Sequence, residues 1–459
     1  MTNSIAASRN DWDDLSESGD GREQRGRPNW TDILFFVLLA VGAGYALKTF
    51  SNSMDYYEKA ILVCAVPTFA WMGWLWRPLR TLMLTTAVAA GFAIWLYQGD
   101  IARAEQAFFL KYLFSSQSAI LWMCALFVLA TACYWLGFVS PTSAWLGTAL
   151  TWAAVFAGTT GMLVRWREGH LLGPDIGHIP VSNLYEVFVL FALITALFYL
   201  YYERRYATRA LGGFVLLVIT SAVVFLLWYS FTRDAAQIQP LVPALKSWWM
   251  KIHVPANFIG YGTFSLAAMV AFAYLVKQNS QTKSWLKLAP LFVLGVLLAG
   301  EPMIFGSKEV SATWMLYFGI GALIVGTILL FRRPIGERLP SFEVLDDIMY
   351  RAIAIGFAFF TVATILGALW AADAWWSIKK HWAIEAQQAV RAARVAVPAR
   401  RHAPAHRLRE RAHVAAERVA HAVPARQLVQ HGSAFAFECH RQFLQSALQH
   451  VCVRIESLA

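Results

Sequence analysis

Three short runs of the sequence hold side chains that could bind a ligand, and one of them centres on a histidine. In SWWMKIHVPANFIGYGTF, residues 247–264, His253 follows Trp248 and Trp249 at the start of an apolar segment. A neutral imidazole beside flat aromatic rings has the features of an axial ligand to haem iron, which needs a nitrogen donor and an apolar wall. Tryptophans at such a position are also typical of the aromatic belt at a membrane surface. The residue types alone therefore leave both interpretations of His253 open.

A second run, GHIPVSNLYEVF at residues 177–188, combines a histidine with the signals of a helix start. Pro180 ends a loop, Asn183 can cap a helix, and Glu186 three residues later completes a capping-box-like pattern. Helix initiation is therefore the interpretation that the residue types favour for Asn183 and Glu186. His178 is either a loop histidine or a ligand, because spacing alone does not distinguish the two.

The third run, LGALWAADAWWS at residues 366–377, gathers four aromatic or acidic side chains where a long apolar stretch ends: Trp370, Asp373, Trp375 and Trp376. Clustered tryptophans at such an exit are typical of an interfacial belt. The same cluster could form a platform for a planar ligand, and the run itself does not decide between the two interpretations.

The elements that position these runs are predicted to be membrane helices. The chain has 459 residues, of which 58% are hydrophobic and 15% charged, a composition typical of a polytopic membrane protein. Of the net charge of +11, +8 lies from Ser377 to the end, so residues 1–376 carry only about +3. This distribution gives no reason to expect a nucleic-acid partner, and the predicted fold class is an all-α polytopic transmembrane bundle.

About eleven segments are long enough to cross some 30 Å of hydrocarbon at about 20 residues each. The basic residues of the short loops fall on one side if every segment crosses, which predicts a cytoplasmic polar N-terminus, residues 1–29, and an outer face that holds all three runs. The predicted spans lie near 31–50, 58–76, 80–98, 117–138, 143–164, 183–202, 209–231, 252–276, 286–304, 312–331 and 350–371.

Taken together, GHIPVSNLYE at 177–186, KIHVPANFIGYGTF at 251–264 and GALWAADAW at 367–375 resemble the CcsA/CcsB (ResC-type) family. These are the WWD-domain proteins of system II cytochrome c biogenesis. The resemblance covers roughly residues 140–376. It implies a bacterial inner-membrane protein that, with a ResB-type partner and surrounded by membrane lipid, brings haem b to the outer face. It also implies that this haem is presented to the CxxCH motif of apocytochrome c.

The same resemblance implies roles for the matching residues. His253 matches an axial ligand to the haem iron, and Trp370 and Trp375 match the first tryptophans of the haem platform. The run that holds His178 and Glu186 matches a loop motif whose role is less defined. Four cations predicted to lie on the outer face could in addition neutralise the haem propionates: Arg165, Arg167, Lys246 and Lys251.

The resemblance ends abruptly after about Trp376. The family continues into a WxWDPKE core and two further spans with histidines, whereas this chain continues SIKKHWAIEAQQAV. We therefore divide the sequence into N-terminal helices (30–140), an assembly-type domain with a truncated WWD segment (141–376) and a basic tail (377–459). The tail is either a natural, partly helical segment or the product of a slipped reading frame, and we favour the slip because the match stops in mid-motif.

These observations predict a haem-handling membrane subunit whose function is impaired, because part of the haem site is lost. Two other classes stay open. A secondary transporter requires ionisable residues at mid-membrane depth, and the predicted spans are nearly free of charge. A non-catalytic assembly subunit would bind the partner without binding haem.

We expect the DNA around the codons for Trp375 to Lys380 to encode WDPKE in another frame, because a single slipped base would convert that core into the basic tail. Resequencing this region tests the expectation directly. Confirmation of the present frame, with no WDPKE in either alternative frame, would show that the tail is natural.

Overall fold

The computed structural model describes the backbone of residues 29–396 apart from 53, 174–175, 242–244, 246 and 305–311. Side chains are described for the same residues except 297–304, 312–315, 317 and 374–396. The side chains of Trp375 and Trp376, the residue Lys246 and most of the basic tail therefore lie outside the described residues.

Eleven long helices follow one another in the described part of the chain, where no strand occurs. Two single turns, Arg103–Gln106 and the π-helical Leu110–Phe114, and a short helix, Arg332–Arg338, lie between them. We number the long helices α1 (Trp30–Phe50), α2 (Tyr56–Leu75), α3 (Arg77–Tyr97), α4 (Ser116–Leu136), α5 (Pro141–Leu172), α6 (Leu184–Arg205), α7 (Gly212–Arg233), α8 (Trp248–Gln278), α9 (Trp285–Ile304), α10 (Ala312–Leu330) and α11 (Phe342–Ala396).

The predicted all-α membrane bundle is confirmed, and the chain is a multi-pass membrane protein. Each predicted span coincides with one long helix, but among the described residues only eight helices are long and apolar enough to cross a membrane. The count becomes nine if 318–330 and 332–338, bent by 68°, form one span. Helix α2 is not among the eight, because Glu58, Lys59 and Pro67 reduce its apolar character. The predicted number of eleven spans is thus not confirmed.

The chain divides into two compact units, one up to Trp370 and one from Ala371. The backbone of the second unit is described as far as Ala396 and belongs to α11. The domain boundaries that the sequence predicts, at residues 140 and 376, are not tested by this division and stay predictions.

The core of the first unit is built around the antiparallel pair α4 and α5. Helices α3 and α6 pack against α5, α7 packs against α4 and α6, and α8 covers α6 and α7. Gly158 of α5 allows this close approach, since a Cβ there would lie 2.8 Å from Leu193 Cδ2 and 3.0 Å from Met123 Cγ. Small residues at such crossings are typical of membrane helices, whose association depends on close packing rather than on the exclusion of water.

A buried carboxylate holds the helices together at the end of the bundle where α6 finishes. Glu203 accepts hydrogen bonds from Tyr134 (2.7 Å), Tyr199 (2.6 Å) and Thr148 (2.6 Å). Three hydroxyl donors compensate for the loss of water around this carboxylate, which would otherwise be costly in an apolar environment. Gly212 faces the same cluster, and a Cβ at that position would lie 2.5 Å from Tyr134 Cε1 and 2.5 Å from Tyr199 Oη.

At the same end, Tyr206 joins the end of α6 to α11. Its hydroxyl donates a hydrogen bond to Asp347. Burial, followed by this bond, raises the pKa of Tyr206 above its usual value of 10.0. The protonated phenol is therefore the form that connects the two helices at neutral pH.

Buried charged side chains occur near the ends of several long helices, and two of them, Arg80 and Glu186, lie inside the predicted spans. In the described part of the chain the buried acidic and basic side chains are Arg80, Arg165, Glu168, Glu186 and Glu203. Each has a partner and lies within about two turns of a helix end rather than at mid-helix. This placement indicates structural anchors rather than the mid-membrane pathway of a transporter.

We expect Gly212→Ala to lower the free energy of unfolding by about 1–3 kcal/mol, because the added methyl group overpacks the tyrosine cluster. The matched control is Gly91→Ala on α3, where no atom lies within 4 Å of the added Cβ. The temperature of unfolding in detergent measures both variants. Equal stability of the two would contradict the packing seen around Glu203.

Candidate functional site

His253 lies in the second turn of α8, a helix whose start is defined by Ser247. The Ser247 side chain accepts a hydrogen bond from the Trp249 amide at 3.4 Å. The His253 ring reaches α11, where its Nδ1 lies 2.8 Å from the Ala363 carbonyl oxygen. A carbonyl only accepts hydrogen bonds, so Nδ1 carries the proton, and in the neutral ring Nε2 carries the lone pair.

No hydrogen bond to Nε2 of His253 is found within the described ranges. A histidine that donates one ring N–H to a backbone carbonyl while the other nitrogen keeps a lone pair has the arrangement of a metal-ligating histidine. The side chain is partly exposed rather than sealed in the core. Since no group of three or more potential metal ligands occurs among the described residues, the arrangement suits a single axial ligand better than a zinc site.

Trp370 forms part of the wall beside this imidazole. The ring centroids of His253 and Trp370 are 5.7 Å apart, with the planes at 64° in an edge-on contact. The structure therefore brings together two of the residues that the sequence placed in one site. The other predicted platform residue, Trp375, has its side chain outside the described residues, so its role stays a prediction.

The start of α8 also packs against the start of α2, a contact that no motif in the sequence indicates. Trp248 stacks on Tyr57 with a centroid distance of 4.1 Å and an interplanar angle of 2°, and on Trp249 at 3.8 Å. Lys251 forms an ion pair with Glu58 and lies 3.9 Å from Asp55. The Lys251 ammonium group, a predicted partner of the haem propionates, is thus already paired with carboxylates of the protein.

Arg165 is likewise committed to the protein. Its side chain, only 1% exposed, pairs through Nε with Glu186 Oε1 at 2.7 Å. Its two terminal nitrogens donate to the carbonyls of Ala236 at 2.7 Å and Gln237 at 3.4 Å. This guanidinium therefore joins the end of α5 to the start of α6 and to the loop that leads into α8, and the idea that it neutralises a propionate does not fit. Arg167 remains exposed and keeps that possibility.

The loop before α6 has the helix start that its sequence predicts. Asn183 Oδ1 accepts from the Glu186 amide at 2.8 Å, which confirms the cap. The Glu186 carboxylate does not accept the Asn183 amide, as a capping box would require. It accepts hydrogen bonds from the amide and the hydroxyl of Ser182, each at 2.9 Å. Glu186 thus serves both the helix start and the ion pair with Arg165.

Both ring nitrogens of His178 are engaged inside this loop. Nδ1 lies 2.6 Å from the Ile176 carbonyl and Nε2 lies 2.7 Å from Ser182 Oγ. To act as a ligand, His178 would have to release Ser182. The geometry therefore favours the loop-histidine interpretation, in contrast to His253.

Replacing Arg165 tests how much its ion pair with Glu186 stabilises the protein. We expect Arg165→Met to destabilise the protein by about 3–5 kcal/mol, because it leaves the Glu186 carboxylate buried without its cation. The exposed neighbour Arg167→Met is the matched control and should unfold at the wild-type temperature in detergent. Combining Arg165→Met with Glu186→Met should recover part of the loss, and a double variant no more stable than Arg165→Met would contradict the pairing.

Comparison with known proteins identifies relatives of this chain. Residues 181–383 match the protein family described as Cytochrome C assembly protein. The cytochrome c biogenesis protein CcsA of Chlorella vulgaris is 30% identical over 254 residues, which cover 54% of this chain and 71% of that protein. The CcsA protein of Gloeobacter violaceus is 30% identical over 267 residues, or 55% of this chain and 74% of the relative. The CcsA protein of Thermosynechococcus vestitus is 30% identical over 255 residues with the same two coverages.

No solved structure matches the chain. The family match contains the start of α6 with Glu186 and both members of the His253–Trp370 contact. The resemblance seen in the three sequence runs is thereby confirmed. The chain belongs to the CcsA family of cytochrome c biogenesis proteins.

Proposed function

We propose that this chain binds haem b through His253 at the outer face of the membrane and supports its covalent attachment to the CxxCH motif of apocytochrome c. The single observation that carries the proposal is the His253 imidazole, with Nδ1 bound to the Ala363 carbonyl and Nε2 without a hydrogen-bond partner within the described ranges. Membership of the CcsA family supports a role in cytochrome c biogenesis, and the imidazole supports the finer assignment.

The residues around His253 fit haem in chemical type. An imidazole nitrogen with a free lone pair suits the iron, and the Trp370 ring offers an apolar surface to a planar macrocycle. Haem, when bound, supplies vinyl groups across which the two cysteine thiols of CxxCH add to form thioethers. The protein's part is to hold and orient: the Ala363 carbonyl fixes the imidazole, and Trp370 stands edge-on beside it.

The proposed orientation places His253 on the outer side of a bacterial inner membrane and the N-terminus in the cytoplasm. Basic residues gather at the opposite end of the bundle: Arg77 begins α3, Arg204 and Arg205 end α6, and Lys277 stands near the end of α8. Contact between Trp76 and Tyr201, with centroids 5.8 Å apart, holds the first two of these helix ends together. An excess of Lys and Arg is typical of the cytoplasmic side.

The contacts between the start of α2 and the start of α8 support a site that is formed before haem binds. The Tyr57–Trp248 stack and the Lys251–Glu58 ion pair hold the first turns of α8 before any ligand arrives. A site fixed in advance loses less conformational entropy on binding.

We further propose that a ResB-type membrane protein and apocytochrome c act with this chain. We also propose that residues 377–459 do not supply the second axial ligand, so that attachment by this chain is impaired.

Replacing His253 separates haem binding from assembly. We expect His253→Ala, co-expressed with a ResB-type partner, to retain about a tenth or less of the wild-type haem, because the iron loses its nitrogen ligand. The amount of partner that copurifies should be unchanged. Pyridine haemochrome absorbance and the ratio of the two purified chains measure these quantities.

The matched control is His170→Ala. His170 lies on α5 and is exposed, and its Nδ1 also contacts a helix carbonyl, that of Trp166 at 2.9 Å. This variant should keep its haem. Loss of the partner in His253→Ala with haem content unaffected would instead identify the chain as a non-catalytic assembly subunit.

A further inference from the structure

Helices α8 and α11 approach each other through glycines. A Cβ on Gly260 would lie 3.2 Å from Phe360 Cβ, and a Cβ on Gly356 would lie 2.7 Å from Thr263 Oγ1. At these two positions the missing side chain serves helix packing. A third glycine of the interface, Gly367, has a different neighbour.

The space beside Gly367 is filled by the imidazole of His253. A Cβ at Gly367 would lie 2.8 Å from His253 Cε1 and 3.3 Å from Nδ1. The first distance is shorter than real Cβ contacts, so a side chain at this position would force the His253 ring to shift, and that ring is bound to the Ala363 carbonyl. At other helical glycines, such as Gly91 and Gly319, an added Cβ would have no neighbouring atom within 4 Å.

The spacing between Gly367 and Ala363 explains why a glycine is needed at this point. In an α-helix the carbonyl of residue 363 accepts the amide of residue 367, four positions later. The Cβ of each residue tilts towards the helix N-terminus, so a side chain at 367 would lean over the 363 carbonyl. Without that side chain, the Ala363 oxygen is open to a second donor, and His253 Nδ1 occupies this position at 2.8 Å.

We propose that Gly367 is a positioning residue for His253: the absence of its side chain exposes the Ala363 carbonyl and thereby selects the tautomer in which Nε2 faces the ligand. The inference rests on the proposed haem-binding function and deepens it. A larger residue at 367 displaces the ring from the carbonyl, and the ring then loses both its fixed plane and the bond that keeps the proton on Nδ1. Outer-shell partners of this kind typically contribute 10–100-fold to metal affinity.

The test compares Gly367→Val and Gly367→Ala with Ala368→Val, a substitution of the exposed next residue on the same helix. Each is made in the full chain, co-expressed with the ResB-type partner, alongside His253→Ala. We expect Gly367→Val to lose about 10–100-fold in haem affinity, with Gly367→Ala intermediate. Ala368→Val should bind as wild type, and all variants should copurify with the partner in equal yield.

A second readout needs no haem. Nitrogen NMR of histidine-labelled protein in liposomes, as a difference from His253→Ala, isolates the His253 ring signals. We expect protonated Nδ1 and unprotonated Nε2 in the wild type and in Ala368→Val, and a shift of the proton to Nε2 in Gly367→Val. This readout reports the ring itself, so a merely structural role of the glycine would leave it unchanged.

The outcomes separate the two proposals. Full haem content in His253→Ala would overturn the proposed function. Loss of haem in His253→Ala together with wild-type affinity in both Gly367 variants would overturn only the role of Gly367. Loss of haem in Gly367→Val with the proton still on Nδ1 would also overturn it, because the glycine would then act by another route.

Discussion

The structure depends on the pairing of charged side chains within the protein, in surroundings that exclude water. Where water is excluded, an unpaired charge or backbone group costs several kcal/mol. Arg165 is paired with Glu186 and the carbonyls of Ala236 and Gln237, and Glu168 with Tyr97 at 2.5 Å and the Ser116 amide at 2.9 Å. These groups lie near helix ends, so their pairing fixes the connections between helices as well as the helices themselves.

The His253 imidazole has a partner on one side, and among the described residues no hydrogen bond to its other nitrogen is found. Nδ1 is bound to the Ala363 carbonyl, and the ring as a whole lies edge-on beside Trp370. His178, in the neighbouring family motif, has both nitrogens engaged by Ile176 and Ser182. The contrast between the two histidines supports the proposal that His253 binds the ligand and that His178 serves the loop. Under the proposed function, the protein positions the reactants, and haem and the apocytochrome thiols bring the reactive groups.

Much of the fold and part of the site could be predicted from local sequence. Apolar runs of about 20 residues placed every long helix, because length and hydropathy are local properties. The cap formed by Asn183 and Glu186 was equally local, at a spacing of three residues. The partners of Arg165 and Lys251 could not be predicted, since Gln237 and Glu58 are brought near by packing and leave no periodic signal. Ala363 acts through its carbonyl, which no residue type reveals, and only the pairing of His253 with Trp370 was suggested by the family resemblance.

The central claim is that His253 holds haem through Nε2 while Nδ1 stays on the Ala363 carbonyl. A cryo-electron microscopy structure of the full chain with its ResB-type partner, purified with endogenous haem, tests it most directly. We expect haem iron within coordination distance of His253 Nε2, the macrocycle against Trp370, and the hydrogen bond from Nδ1 to the Ala363 carbonyl retained. Haem bound at any other site, with the His253 imidazole remote from the iron, would contradict it.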